Sequence, residues 1–368
     1  MESVRSFIDE RVEPRINEIE ETNAIPPEIL SEAGALGLFG MSIPEAYGGS
    51  GLSRLSRTLV HQMIGRSGFG FAGAIASHTG IGSEGIVELG TESQKERYLP
   101  RMATGELTAA CAITEHEAGS DVGGMRTNAR KKGNRYYLNG VKCYISGGSK
   151  AGLITVIART NSGEADKQFG VFLVEPDFPG FRIGEIYETM GAKGHPIAEL
   201  VFEDCEVPEE NLLGAEGDGW IAAMQILNNA RPLVAARCVG ACERLLEIST
   251  DWARDRKQFG KPIGDFQAIR FMLADMATCT EAARWLTYKA AIDCDNGGAT
   301  PETVSMAKLY ASECLAVVAD NAMQLQGGAG YISGNPVGRF YRDARITRIY
   351  EGTSEIQRLI IGRALMRQ

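Results

Sequence analysis

Apolar residues recur at helical spacing through the first hundred residues of the chain. Residues 3–21 carry one such stripe, Pro26 and Pro27 open a second (Ile29, Leu30, Ala33, Leu36, Leu38), and LSRTLVHQMIGRSG is a third. The stretch SIPEAYGGSGLS between them is rich in Gly, Ser and Pro and predicts a turn, and helical pattern resumes through EGIVELG and ESQKERYLPRMATGE. From about residue 108 the period changes. AACAIT, NRYYLNGVKCYIS, GLITVIART, FGVFLVEP, FRIGEIYE and AELVFEDCEV are short, rich in Val, Ile, Tyr and Phe, and bounded by Gly, Asn, Asp and Pro. They predict a compact β domain of about seven strands, with Asn139-Gly140 as a hairpin turn. From about 219 the pattern is helical again over 220–256, 265–296 and 301–326, the last opening near Pro301 and ending at Gly327-Gly328-Ala329-Gly330. Long neighbouring helices on short connections make a bundle. The expected fold is α+β and multidomain: an N-terminal all-α domain (1–107), a middle antiparallel β-barrel-like domain (108–218) and a C-terminal four-helix-bundle-like domain (219–368).

Near the end the pattern is punctuated by Tyr350-Glu351-Gly352-Thr353-Ser354-Glu355-Ile356-Gln357, after a basic run (Arg342, Arg345, Arg348) and before a last apolar-periodic segment. Thr353 or Ser354, with Glu355 and Gln357 downstream, reads as a helix N-terminus whose free N–H groups attract anions. Glu351 then sits on a turn at the mouth of a helix. Taken alone, that is an acid in a capping loop.

Composition narrows the classes. Hydrophobic residues make up 44% and charged ones 23%, so the chain is globular; the net charge of -9 gives no electrostatic case for nucleic acid or anionic membrane as partner. No uninterrupted apolar stretch is long enough to span a bilayer, and the acidic, amphipathic start MESVRSFIDERVEP is unlike a signal peptide. A cytoplasmic protein is expected. The eight cysteines are scattered without a CxxC pair and read as reduced thiols, and with four histidines no metal site is expected. Two GxGxxG matches, at 68–73 and 80–85, follow no β-branched strand and read as close-approach glycines rather than a dinucleotide fingerprint. The loop DCDNGG lacks a calcium loop's final glutamate, since Val304 stands there, and reads as a helix connection.

The strings CAITEHEAGSD, KCYISGG, ARP, RKQFGKPI, MQLQGGAGY and IYEGTSEIQ, in this order and spacing, make the chain resemble the acyl-CoA dehydrogenase family along nearly its whole length. The resemblance implies FAD between the β domain and the bundle, and an acyl-CoA on the flavin's face. It places Ile113, Thr114, Gly119 and Ser120 at the flavin ring, Ser120 also at the substrate, and Tyr144 and Ser146 beside them. On residues alone the first stretch could be an ordinary β-turn and Tyr144 a core aromatic. Arg256 and Phe259 match residues at the FAD pyrophosphate and adenine, where a guanidinium suits phosphate, although Arg254, Arg256 and Lys257 could equally be a solvated helix end. Gln324, Gly327 and Gly328 match residues reaching a neighbouring subunit's FAD, which implies a homo-oligomer, a tetramer built as a dimer of dimers. Thr353 and Glu355 are assigned to the cofactor, and Asn228, Arg231, Tyr350, Gly352 and Ser83 to the substrate. Arg231 could also be a satisfied helix arginine.

By the same resemblance Glu351 is the catalytic base, because the alternative acid position on the long helix holds Ala230. The implied reaction removes the α-proton and the β-hydride of an acyl-CoA to give a trans-2-enoyl-CoA, with electrons passing to an electron-transferring flavoprotein. Three departures from the family pattern bear on the substrate: His116-Glu117 where Pro-Gly is common, Gly194-His195-Pro196-Ile197 in place of a Ser/Thr turn, and Asn228 where an Asp is frequent. The alternatives are an acyl-CoA oxidase or reductase on the same fold, or a binding protein that has lost its chemistry.

Overall fold

The computed structural model describes residues 1–160 and 169–366. Residues 367 and 368, at the end of the last predicted segment, lie outside the described residues. The N-terminal part packs α1 (Glu2–Phe7), α2 (Ile16–Thr22), α3 (Pro27–Ala35), α4 (Arg54–Ile64), α5 (Phe69–Ala76), α6 (Glu84–Leu89) and α7 (Glu92–Thr104). Residues 3–21 are interrupted where Pro14 removes an amide donor, and a short 3-10 turn at Glu13–Arg15 takes its place. Both GxGxxG matches lie in or beside helices, the first in α5 and the second running from a π-turn at Ser77–Gly82 into α6.

The middle part is a sheet in the order β6-β7-β3-β2-β4-β5-β8, with β1 beside β4. Its strands are β1 (Ala109–Ala112), β2 (Asn128–Lys132), β3 (Arg135–Ser146), β4 (Leu153–Thr160), β5 (Phe169–Val174), β6 (Phe181–Tyr187), β7 (Ile197–Pro208) and β8 (Leu212–Leu213). The sheet is mixed: β1 and β2 both run parallel to β4, and the other pairings are antiparallel. Asn139-Gly140 is not a hairpin turn. β3 runs through it, with a register shift between Leu138 and Gly140 against β7. Gly140 is at φ 150°, and a Cβ there would lie 2.3 Å from Thr127 Oγ1. Glycine here answers a bulge and a close approach, a meaning that shares its local signal with a turn.

The C-terminal part is built on α8 (Gly219–Asp255), α9 (Gln267–Asp295) and α10 (Pro301–Gln326), followed by α11 (Pro336–Ala344) and α12 (Ser354–Leu365). From Ala230 to Cys242 every residue of α8 is buried, so this stretch is the hub and not an amphipathic surface helix. Its neighbours come close because small residues let them. A Cβ on Gly240 would stand 1.8 Å from the Gln62 carbonyl oxygen, and one on Gly65 2.3 Å from that of Arg237. This crossing lays the inner face of α4 against α8.

Cys279 and Cys314 are joined by a disulfide, which corrects the expectation of reduced thiols. Their Cα atoms are 5.9 Å apart across the packed faces of α9 and α10, a proximity that spacing along the chain could not reveal.

Candidate active site

The turn between α11 and α12 is held from several sides. Thr353 caps α12 by accepting from Ile356 N–H, and Ser354 donates to Glu313 Oε1 of α10 at 2.6 Å. Gln357 Nε2 donates back to the carbonyls of Glu351 (3.2 Å) and Gly352 (2.9 Å). Lys308 Nζ, from the middle of α10, donates to the same Gly352 carbonyl at 2.7 Å. So fastened, Glu351 and Gly352 both take positive φ, 54° and 92°. A positive φ costs a non-glycine residue energy and persists only where its surroundings fix it.

The result is a carboxylate turned inward. The Glu351 side chain is 12% exposed, and its Oε2 is buried with no hydrogen-bond partner among the described residues. Its Oε1 lies 3.9 Å from Arg237 Nη2 of α8, an ion pair without a hydrogen bond. Burial raises its pKa above the ordinary carboxylate value, and Arg237, Lys308 and Arg231 offset part of the rise. Burial likewise pushes Lys308 down to about 8 and Tyr350 up to about 12. An acid so placed holds a proton more readily than an exposed carboxylate does, the direction of shift that suits a general base.

Arg231 is buried one residue after Ala230 and donates to Asn228 Oδ1 at 2.5 Å, while its Nε is unpartnered among the described residues. Pro232 lies within α8 and has no N–H, so the Asn228 carbonyl is released from the helix ladder. A Cβ on Gly352 would sit 3.6 Å from Arg231 Nη2, which places Asn228, Arg231, Tyr350, Gly352 and Glu351 in one group. The β domain reaches it through Cys111, close enough to Glu351 for their charges to interact. Ile113 and Thr114 follow β1 and are partly exposed, and Gly119 and Ser120 are exposed. No acceptor among the described residues meets the N–H groups of Gly119 and Ser120, and nothing lies within 4 Å of a Cβ on Gly119. Tyr144, at φ 58° and 57% exposed, stands beside them on β3 with the partly exposed Ser146.

Other expected residues lie elsewhere. Ser83 is fully buried and its hydroxyl meets Ser42 at 3.1 Å. Arg256 and Phe259 are at the far end of α8, next to a small hairpin of β9 (Lys257–Gln258) and β10 (Lys261–Pro262). Phe259 is 93% exposed at φ 50°. From Arg231 to Arg256 the helix runs roughly 37 Å, so one cofactor cannot touch both ends. Gln324, Gly327 and Gly328 are exposed at this same far end, where Leu325 packs with Ala253 and Ile263. Three residues near the base were missed from sequence: Arg237, Lys308 and Glu84. Their signal was a charge at a core-facing position of a helix.

Family models for the acyl-CoA dehydrogenase N-terminal, middle and C-terminal domains match residues 1–106, 110–205 and 217–366. The chain belongs to the acyl-CoA dehydrogenase family. Among its relatives is an acryloyl-CoA reductase (NADH) of Anaerotignum propionicum, 41% identical over 366 residues, covering 99% of this chain and 93% of that one. The butyryl-CoA dehydrogenase structure from Megasphaera elsdenii superposes with a TM-score of 0.96 at 37% identity, over 99% of this chain and 96% of that one. A chain in a structure described as an electron transferring flavoprotein of Acidaminococcus fermentans also scores 0.96, at 38% identity with the same coverage.

Proposed function

We propose that the protein removes the α-proton and β-hydride of an acyl-CoA thioester, using FAD, to give a trans-2-enoyl-CoA, and hands the electrons to an electron-transferring flavoprotein. The observation that carries this reading is Glu351: a buried carboxylate with one bare oxygen, on a strained turn within charge reach of Cys111 in the β domain. When bound, FAD supplies the two-electron acceptor that the chain's own side chains cannot provide. The open edge of the β domain fits a flat, electron-rich ring. Gly119 and Ser120 present amides without bulk, and Ile113, Thr114, Tyr144 and Ser146 flank them. Thr353 and Glu355 stand at the N-terminus of α12, where the helix favours negative charge.

Glu351 takes the α-proton on Oε2. The negative charge then gathers on the thioester oxygen, and the Glu351 N–H, which has no acceptor among the described residues, is the donor placed to receive it. Donors of this kind contribute about 3 to 4 kcal/mol. Arg231, Arg237 and Lys308 favour negative charge throughout the site. Asn228 and Arg231 hold the CoA end, with Tyr350 and Gly352 closing the wall and Ser83 further along the acyl path.

Two clusters of cofactor residues at opposite ends of α8 support a homo-oligomer, in which Arg256, Phe259, Gln324, Gly327 and Gly328 of one copy complete the FAD site of another. The assembly is a tetramer, a dimer of dimers, in the cytoplasm. Among the described residues no helix is long and apolar enough to cross a membrane. Arg256→Ala should reduce FAD retention through gel filtration, read as the ratio of flavin to protein absorbance. An unchanged ratio would remove Arg256 from the site.

The reading is tested by anaerobic mixing with straight, branched and aromatic acyl-CoAs. At least one should bleach the flavin, and an electron-transferring flavoprotein should restore the colour faster than air does. Rapid recovery in air would indicate an oxidase instead. The reductase relative supports a second reading, the same step run backwards with Glu351 as the acid, for which an enoyl-CoA would reoxidise chemically reduced protein while no acyl-CoA bleached it.

A further inference from the structure

Beyond Glu351, the wall made by α4, α6 and α8 is charged where a hydrocarbon tail would need it apolar. Arg54 and Arg57 on α4 both direct Nη1 at one oxygen of Glu84, Arg54 at 2.6 Å, and Arg54 also meets the Asn229 carbonyl at 2.9 Å. Glu84 Oε2, the Nε atoms of Arg54 and Arg57, and His61 Nδ1 are buried without a hydrogen-bond partner among the described residues. His61 lies within charge reach of Arg54, Arg57 and Arg237, which ties this cluster to the guanidinium beside the base. Glu84 is itself within charge reach of Glu351. All of these side chains except Glu351 are at least nine-tenths buried. The π-turn carrying Thr79, which bonds His61 Nε2 at 3.3 Å, sets Gly80 against Ala230 and Leu233 of α8, the stretch of helix that also carries Arg231 and Arg237 beside the base.

The charges do not balance. Among the deeply buried groups the three guanidiniums of Arg54, Arg57 and Arg237 meet two carboxylates, Glu84 and Glu351, while Lys308 is also met by Glu313 and Arg57 by Asp295 from nearer the surface. An apolar tail laid against them would leave the bare Nε atoms of Arg54 and Arg57 dry, which is costly. A second anion would meet them with a planar, two-oxygen acceptor suited to guanidinium.

We propose that the acyl group taken by this protein ends in a carboxylate, so that the substrate is a short ω-carboxyacyl-CoA whose distal acid is received by Arg237 with Arg54 and Arg57. This deepens the dehydrogenase reading and rests on it. Arg237 selects the substrate because it stands closest to Glu351: a chain that puts its α-carbon at the base brings an acid a few carbons on to the guanidinium. Arg54 and Arg57, one turn apart on α4, form the floor behind it, and Glu84 keeps them charged and in place.

Glutaryl-CoA and pentanoyl-CoA have the same number of acyl carbons and differ by the terminal acid. Both are offered to the holoenzyme, with flavin reduction followed anaerobically and binding measured calorimetrically on the Glu351→Gln holoenzyme, which holds the ligands unreacted. Wild-type kcat/KM and the binding constant should favour glutaryl-CoA by about 10- to 100-fold, the range of a charged hydrogen bond. Arg237→Gln should collapse that ratio to near one in calorimetry on the Glu351→Gln holoenzyme, and in turnover the ratio of the two thioesters is read rather than either rate, because losing Arg237 also shifts the base. Arg57→Gln, read the same way, serves if Arg237→Gln does not fold. Equal or better handling of pentanoyl-CoA by the wild type overturns the proposal, as does a ratio that survives Arg237→Gln. If neither thioester bleaches the flavin, the dehydrogenase reading is decided by the panel of straight, branched and aromatic acyl-CoAs, and the calorimetric ratio alone decides for or against the carboxylate site.

Discussion

Glu351→Gln should leave a folded, yellow protein that binds acyl-CoA and has lost about 10² to 10⁴ of its rate of flavin reduction, the usual worth of a positioned base. The amide matches the carboxylate in size, and the main-chain bonds from Gln357 and Lys308 to this turn do not involve the side chain. The turn therefore keeps its positive φ and its N–H. Stability supplies an independent check with a definite sign. The Glu351 pKa is raised in the fold, so the ionised form is the disfavoured one, and ionisation costs stability as pH rises from the unfolded value through the folded one. A neutral amide escapes that cost. At neutral pH the variant should melt at the wild-type temperature or above it, and below the unfolded value the difference should vanish. Wild-type bleaching by the variant in a single anaerobic turnover would remove Glu351 from the mechanism.

Much of the architecture was legible because its signals are local. The three long helices were read within a residue or two of α8, α9 and α10, since periodicity over many turns leaves little room for another reading. Thr353 as a cap and Glu351 on the turn before it followed from short-range chemistry. The misreadings share a different cause. Gly140 looked like a turn because bulges and turns both use glycine, and only the partner strand tells them apart. Cys279 and Cys314 meet only once α9 packs on α10. Arg237 sits in VAARCVG, where the pattern says buried helix and says nothing of what the buried guanidinium faces. Arg54, Arg57 and His61 did carry a signal, charged or polar groups on the same face of α4 as the buried Val60 and Ile64. A polar group at a core position is either paired or functional. The separation of Arg256 from Glu351 was also implicit in the unbroken length of α8, which sets the distance between them.

Lys308→Met should move the acid limb of the flavin-reduction profile to higher pH. Lys308 is fully buried, and its charge is one of three, after Arg237 and ahead of Arg231, that hold the Glu351 pKa down against burial. Methionine fills similar space without charge, so Glu351 should bind its proton more tightly and require a higher pH to act as a base. The groups facing Glu351 include Arg231 and Arg237 from α8, Lys308 from α10, Glu84 from α6, Cys111 from β1 and the adjoining Tyr350. Glu84 acts in the same direction as burial, and the cysteine and tyrosine, both raised in pKa, are neutral over this range. The turn itself should survive, because Gln357 Nε2 still donates to the Gly352 carbonyl, and the lost bond from a charged donor costs about 1.5 to 3 kcal/mol. Stability should respond to pH with the opposite sense from a paired lysine. With its pKa pushed down to about 8, Lys308 is less readily protonated in the fold than in the unfolded chain. The wild type therefore gains stability as pH rises from about 8 towards the free-lysine value of 10.5, and the methionine variant lacks that gain. Rates of anaerobic bleaching across pH, beside melting temperatures over the same range, separate the two effects. A limb that stays in place or moves to lower pH would show that Lys308 holds the turn without tuning the base.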